Sequence, residues 1–138
     1  MFPDHSDVVV VGAGNAAMCA ALAAREQGAG VIALERAPED ESGGNTRFTA
    51  GAIRFAYDGV EDLRALMPDL TEEEIARTDF GTYTENQFFD DMARVTENRT
   101  DPDLAELLVR RSKPTMMWLR GKGFRFVPIY GRQAFKVD

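Results

Sequence analysis

Gly12, Gly14 and Ala17 follow the valine run of residues 8–11, and Glu35 closes a second apolar run at residues 31–34. A strand that ends on glycine can turn sharply into a helix, because glycine accepts backbone angles closed to other residues. Gly14, lacking a side chain, lets a pyrophosphate come close to the backbone. A small residue at position 17 keeps helix and strand near one another. The free amides and the dipole at the start of the helix then hold the phosphates. Glu35 stands 21 residues beyond Gly14, the separation at which a carboxylate receives a ribose hydroxyl. The competing reading is a strand–helix–strand unit with no ligand. Agreement between strand, helix and terminal acid favours a dinucleotide.

The choice of dinucleotide rests on the residues after Glu35. A plain nicotinamide domain would continue soon with another helix and strand. Here residues 37–52 form a polar loop carrying Gly43-Gly44-Asn45-Thr46-Arg47 and then Ala50-Gly51-Ala52. Paired glycines beside amide and hydroxyl side chains can wrap a pyrophosphate and a ribityl chain with backbone N–H groups. A merely flexible Gly-rich loop is the alternative.

The elements that must position these residues are legible in outline. The sequence predicts an α/β chain: a Rossmann-like βαβ core over about residues 7–55, a mainly helical segment over about 60–121, and a short strand region over 124–138. The first helix is rich in alanine, which suits close packing on a sheet or under a cofactor, and Gly28-Ala29-Gly30 closes it. Thr71 with Glu74, and Thr82 with Glu85, have the spacing of capping boxes. Phe88, Phe89, Met92 and Val95 form an apolar stripe read as core. Asp101-Pro102 opens a further helix whose buried face is Leu104, Leu107 and Leu108, and Pro114 should end or kink it. Residues 124–127 alternate as a short strand.

Composition narrows the class. The chain has 138 residues, 44% of them hydrophobic, enough for one domain or part of one with a core of ordinary size. No apolar run approaches a membrane span, and the N-terminal segment carries Asp4 and Asp7 in place of the basic residues of a signal peptide, so a cytoplasmic location is expected. One cysteine, Cys19, excludes an internal disulfide and suits a small packed thiol; one histidine, His5, gives no basis for a zinc site or a His-dependent triad. Asn98-Arg99-Thr100 is a glycosylation sequon without meaning in the absence of secretion. Charge is uneven: −4 over residues 1–60, −10 over 61–107 and +7 over 108–138. The overall acidity argues against nucleic acid, and the basic end is either a solvated face or a surface for an anion.

With these motifs in view, GAGNAA, the acid in LER and GGNTRFTAG resemble the FAD-binding domain of the fumarate reductase and succinate dehydrogenase flavoprotein family. Residues 78–97 (TDFGTYTENQFFDDMARVTE), WLRGKGFRFVP and YGRQAFKVD are similar to one subgroup, the FAD-dependent tricarballylate dehydrogenases and related precorrin-3B synthase flavoproteins. The resemblance implies that Gly12, Gly14, Asn15, Ala16 and Ala17 hold the pyrophosphate. Glu35 would bind the adenosine ribose, with Arg36 beside the adenine. Gly44, Asn45, Thr46, Ala50 and Gly51 would meet the pyrophosphate, ribityl and flavin side. Some relatives carry a histidine bonded to FAD in this loop. Asn45 stands at the matching position and cannot form that bond, so noncovalent FAD is implied.

The resemblance further implies oxidation of a tricarboxylate to its alkene, cis-aconitate, by hydride transfer to flavin N5. The partners would be a small tricarboxylate or dicarboxylate and an electron-accepting redox protein. In the family the substrate cap and the proton-shuttling arginine lie far beyond residue 138. No catalytic residue and no metal ligand is therefore assigned here. The chain reads as the N-terminal part of such an enzyme, expected to retain FAD weakly and to show no turnover by itself. Arg132 and Gln133 are candidate substrate contacts, Arg132 being equally suited to a surface ion pair. The alternatives are a precorrin-3B synthase-like monooxygenase, an inert dinucleotide-binding remnant, and a nicotinamide dehydrogenase.

Overall fold

The computed structural model describes residues 5–132 and 134–137. By its internal contacts the chain divides into two compact units, Met1–Ile53 and Arg54–Asp138.

In the first unit, strand β1 (Val8–Val11) leads into helix α1 (Asn15–Glu26) and then strand β2 (Val31–Leu34). Four consecutive valines favour extended backbone, since branching at Cβ restricts the helical rotamers. The two strands pair in parallel with Val8 opposite Val31 and Val11 opposite Leu34. The register is pinned at both ends. Asp7 Oδ2 accepts the Gly30 N–H at 2.7 Å, and the Gly12 N–H donates to the Leu34 carbonyl at 2.6 Å. Helix α1 packs on both strands with its small side chains. It closes in a Schellman arrangement: Gly28 takes φ 85°, the Gly28 N–H donates to Arg25 O, and the Ala29 N–H donates to Ala24 O. Two short 3₁₀ turns, Glu39–Glu41 and Gly44–Phe48, carry the loop beyond β2.

The second unit is mostly helical, with α2 (Val60–Leu66), α3 (Glu72–Ala76), α4 (Glu85–Thr96) and α5 (Pro102–Gly121). Strands β3 (Thr78–Asp79) and β4 (Phe135–Lys136) pair antiparallel. The core gathers Leu63, Leu66, Phe80, Tyr83, Phe88, Val109, Met116 and Leu119. Two buried polar side chains bond within it. The Ser112 hydroxyl donates to the Val109 carbonyl and accepts the Ala56 N–H at 2.9 Å, and the Tyr57 hydroxyl donates to Phe80 O at 2.7 Å. Arg64 on α2 reaches Glu72 on α3 through a two-pronged pair at 2.6 and 2.8 Å.

Several element-level expectations differ from the elements that form. Thr71 and Glu74 do make a capping box, but the second box joins Thr84 to Gln87, not Thr82 to Glu85. Helix α4 starts two residues later than the Thr82 reading implies, because Tyr83 is held in an extended bridge with Tyr57. Along α4, Phe88 is buried while Val95 is 68% exposed. Helix α5 turns Ala105, Val109, Ser112, Met116 and Leu119 inward, and Leu104, the supposed core residue, is 64% exposed. Pro114 neither ends nor starts an element; α5 runs through it. Residues 124–127 form no strand, and the pairing of residues 135–136 with 78–79 takes that role.

Candidate functional site: two loops at the start of helix α1

The sequence leaves the start of α1 with a problem to solve. Its N-cap residue is Gly14, in extended backbone at φ −75°, and glycine brings no side chain to cap the first amides. The missing acceptor comes from 31 residues away: the Thr46 hydroxyl oxygen accepts the Asn15 N–H at 3.0 Å. Gly43, in the left-handed region at φ 98°, begins the 3₁₀ turn that delivers Thr46 there. The approach is close. A Cβ added to Gly14 would stand 3.2 Å from the Gly43 carbonyl oxygen and 3.3 Å from the Thr46 hydroxyl. A side chain at position 14 would thus crowd the second loop as well as any ligand.

The turn after β1 is accounted for amide by amide. Gly12 N–H goes to Leu34 O, Ala13 N–H to Glu35 Oε2 at 2.8 Å, and Asn15 N–H to Thr46. The N–H groups of Gly14, Ala16 and Ala17 have no hydrogen-bond acceptor among the described residues. Three unpaired amides at the positive end of a 12-residue helix are a cradle for an anion. Gly12 takes φ 113°, and a Cβ there would stand 3.7 Å from that of Ala17, so the small side chain at 17 does face the turn.

Glu35 comes directly after β2. Its second oxygen, Oε1, accepts the Ala37 N–H at 2.9 Å. The Ala37 amide first, with those of Ala13, Arg36 and Gly43, holds the carboxyl below the usual carboxylate range, against a smaller opposing effect of desolvation. An ionised carboxylate with lone pairs to spare can still receive ribose hydroxyls.

The structure therefore brings Gly12, Gly14, Asn15, Ala16, Ala17, Glu35 and Thr46 to one end of the first unit, while Gly44 is exposed with no hydrogen bond to this group among the described residues. Arg36, Asn45, Ala50 and Gly51 are exposed, and among the described residues no side-chain hydrogen bond ties them to this group. Ala50 takes φ 52°, a left-handed conformation unusual for alanine, just ahead of Gly51 at φ 74°. Arg132 is exposed, and Gln133 lies outside the described residues. Ala13 and Ala37 are the contributors that motif reading missed, and Gly43, already read in the second motif, joins them. They act through backbone atoms, which residue type does not advertise; only the doubled glycine at 43–44 hinted at it.

Elsewhere, a cavity of 650 Å³ in the second unit is lined by Tyr57, Asp62, Lys113, Pro114 and Met117 among others. Its Lys113 is tied to Asp62 at 2.5 Å. No group of three potential metal ligands occurs among the described residues, and none of their helices is long and apolar enough to cross a membrane.

Residues 7–138 match the sequence profile of the family described as "FAD binding domain". The chain belongs to that family. Binding of FAD is the property that defines it. Two relatives resemble this FAD-binding domain over part of its length. It is 49% identical over 53 residues to 3-oxo-5-alpha-steroid 4-dehydrogenase of Comamonas testosteroni, covering 38% of this chain and 9% of that protein. It is 44% identical over 54 residues to fumarate reductase (cytochrome) of Shewanella frigidimarina, covering 39% of this chain and 9% of that protein. The chain thus matches these curated relatives over 9% of their length.

Proposed function

We propose that the first unit holds FAD noncovalently, with its diphosphate at the start of α1. The observation that carries this reading is the Thr46–Asn15 hydrogen bond. It joins the two glycine motifs around three amides that lack acceptors. In this reading Gly14, Ala16 and Ala17 donate to the diphosphate, and Gly12 allows the turn that exposes them. Glu35 receives the adenosine ribose, and Arg36 lies beside the adenine. Gly44, Asn45, Thr46, Ala50 and Gly51 serve the ribityl and flavin side. The amide of Asn45 offers no nucleophile for a bond to the flavin. FAD, when bound, supplies two-electron oxidation and reduction, and the protein's part is to orient it and exclude water.

For the protein to which this domain contributes, we propose oxidation of a tricarboxylate to its alkene, as in a tricarballylate dehydrogenase, with electrons passed to a redox partner in the cytoplasm. The subgroup-like stretches at residues 78–97 and 118–138 support that choice.

Two measurements test the reading. The purified protein should be yellow or bind added FAD with a shift in the flavin spectrum, and acid precipitation should release all the flavin into the supernatant. Flavin left in the pellet would overturn the noncovalent assignment. For the substrate, the test uses the whole enzyme to which this domain contributes: reduction of an artificial acceptor should accompany addition of tricarballylate, and activity only with succinate or a 3-oxo steroid would overturn the tricarboxylate choice and leave the FAD site standing.

A further inference from the structure

We propose that Glu35 is a positioning residue for the diphosphate cradle, in addition to any contact it makes with the ribose. This rests on the FAD reading above and deepens it. The two oxygens of Glu35 reach in different directions along the chain. Oε2 holds the Ala13 N–H at 2.8 Å, in the turn after β1, and Oε1 holds the Ala37 N–H at 2.9 Å, in the turn after β2. Ala13 lies between the two glycines of the first motif. Fixing its peptide sets the direction of the adjoining Gly14 amide and the entry angle of α1. Both bonds are charge-assisted, so they are stronger than ordinary amide contacts. The carboxyl's lowered pKa, to which the Gly43 amide also contributes, agrees with an anion already surrounded by backbone donors. Thr46 then completes the arrangement from the other loop. A carboxylate thus organises a site built to receive another anion.

That juxtaposition gives the proposal a distinctive sign. A carboxylate beside a diphosphate repels it, so a Glu35 that only contacts ribose would, when neutralised, leave binding of a bare anion unchanged or make it tighter. A Glu35 that shapes the cradle would, when removed, make the same anion bind more weakly. The probe is inorganic pyrophosphate, which has no ribose.

Titration calorimetry of Glu35→Ala and Glu35→Gln against pyrophosphate and FAD decides between them. The expected result is pyrophosphate affinity about tenfold weaker in Glu35→Ala. Glu35→Gln, whose amide oxygen still accepts one N–H, should lose less, and it carries the test if the alanine variant fails to fold. In both variants the Ala13 amide proton should move upfield in a proton–nitrogen correlation spectrum. Unchanged or tighter pyrophosphate binding with weakened FAD overturns the positioning role and leaves Glu35 a ribose contact. A wild-type chain that binds neither pyrophosphate nor FAD overturns the FAD reading itself, and this proposal with it.

Discussion

At the scale of single residues, the site depends on side chains that serve the backbone. Thr46 illustrates this most directly, since its hydroxyl stands in for the side chain that Gly14 lacks. Thr46→Val keeps the shape and removes the acceptor. It is expected to destabilise the protein by about 1 kcal/mol, the usual worth of a helix cap, and to weaken FAD by about fivefold; Thr46→Ser should restore both. A valine variant that binds FAD as the wild type does would show that the two loops are held by something else. Glu35 adds a pH dependence. Its folded pKa lies below its unfolded value, so its contribution is complete above the ordinary glutamate range of about 4.3. It is lost as pH falls through the lower folded value. FAD retention measured down a pH series should therefore fall only on the acid side of that range. Glu35→Gln should flatten that part of the curve. The separation of Gly14 and Glu35 is legible in the sequence because a turn and a strand fix it locally. The Thr46 bond is not, because only folding brings residues 31 apart in sequence together.

At the scale of elements, the contrast between legible and illegible falls along similar lines. The strand from Val8 to Val11 and the glycine closing of α1 arise from local chemistry alone, and both can be read directly. The buried face of α5 cannot. Two stripes with helical spacing compete on that helix, one through Leu104, Leu107 and Leu108, the other through Ala105, Val109, Ser112 and Met116. Hydropathy favours the leucines. The packed helices α2 and α4 select the other stripe, in which small residues permit close approach and Ser112 caps the Ala56 amide. Pro114 reads as a break because its missing N–H leaves the Arg110 carbonyl without its helical donor. Length and packing carry α5 across the defect, at a standing cost. Pro114 is exposed, so Pro114→Ala returns a donor without cutting into the core. Proline costs about 3 kcal/mol relative to alanine inside a helix, offset by about 0.4–1 kcal/mol from the stiffer unfolded chain. The variant is expected to be more stable by about 2 kcal/mol by denaturant titration. Equal or lower stability would mean that the proline ring, on the wall of the 650 Å³ cavity, contributes packing that alanine lacks.

At the scale of the whole molecule, the two units differ in how much apolar surface they hide. Among the described residues, Val10 is the only buried hydrophobic one in the first unit, where Val11 is 83% and Phe48 81% exposed. The second unit carries the remaining buried hydrophobic residues. A unit of this size with so little buried apolar area has small intrinsic stability. Ligand binding is then a large fraction of the stability that keeps it folded. A ligand at 100 times its Kd adds about 2.7 kcal/mol to whatever binds it. Hydrogen exchange monitored by mass spectrometry should accordingly show peptides covering residues 7–53 exchanging quickly without FAD and slowly with it. The strong slowing should reach β1, β2 and the loop around Thr46 together, because the Gly12–Leu34, Ala13–Glu35 and Asn15–Thr46 bonds link them. Peptides from α4 and α5 should be protected under both conditions, their helices being held by Phe88, Val109, Met116 and Leu119. Uniform protection of both units without FAD would refute the assignment of the weaker stability to the first. Slowing confined to α4 and α5 would place the ligand in the second unit and rule out the cradle at the start of α1 as its site.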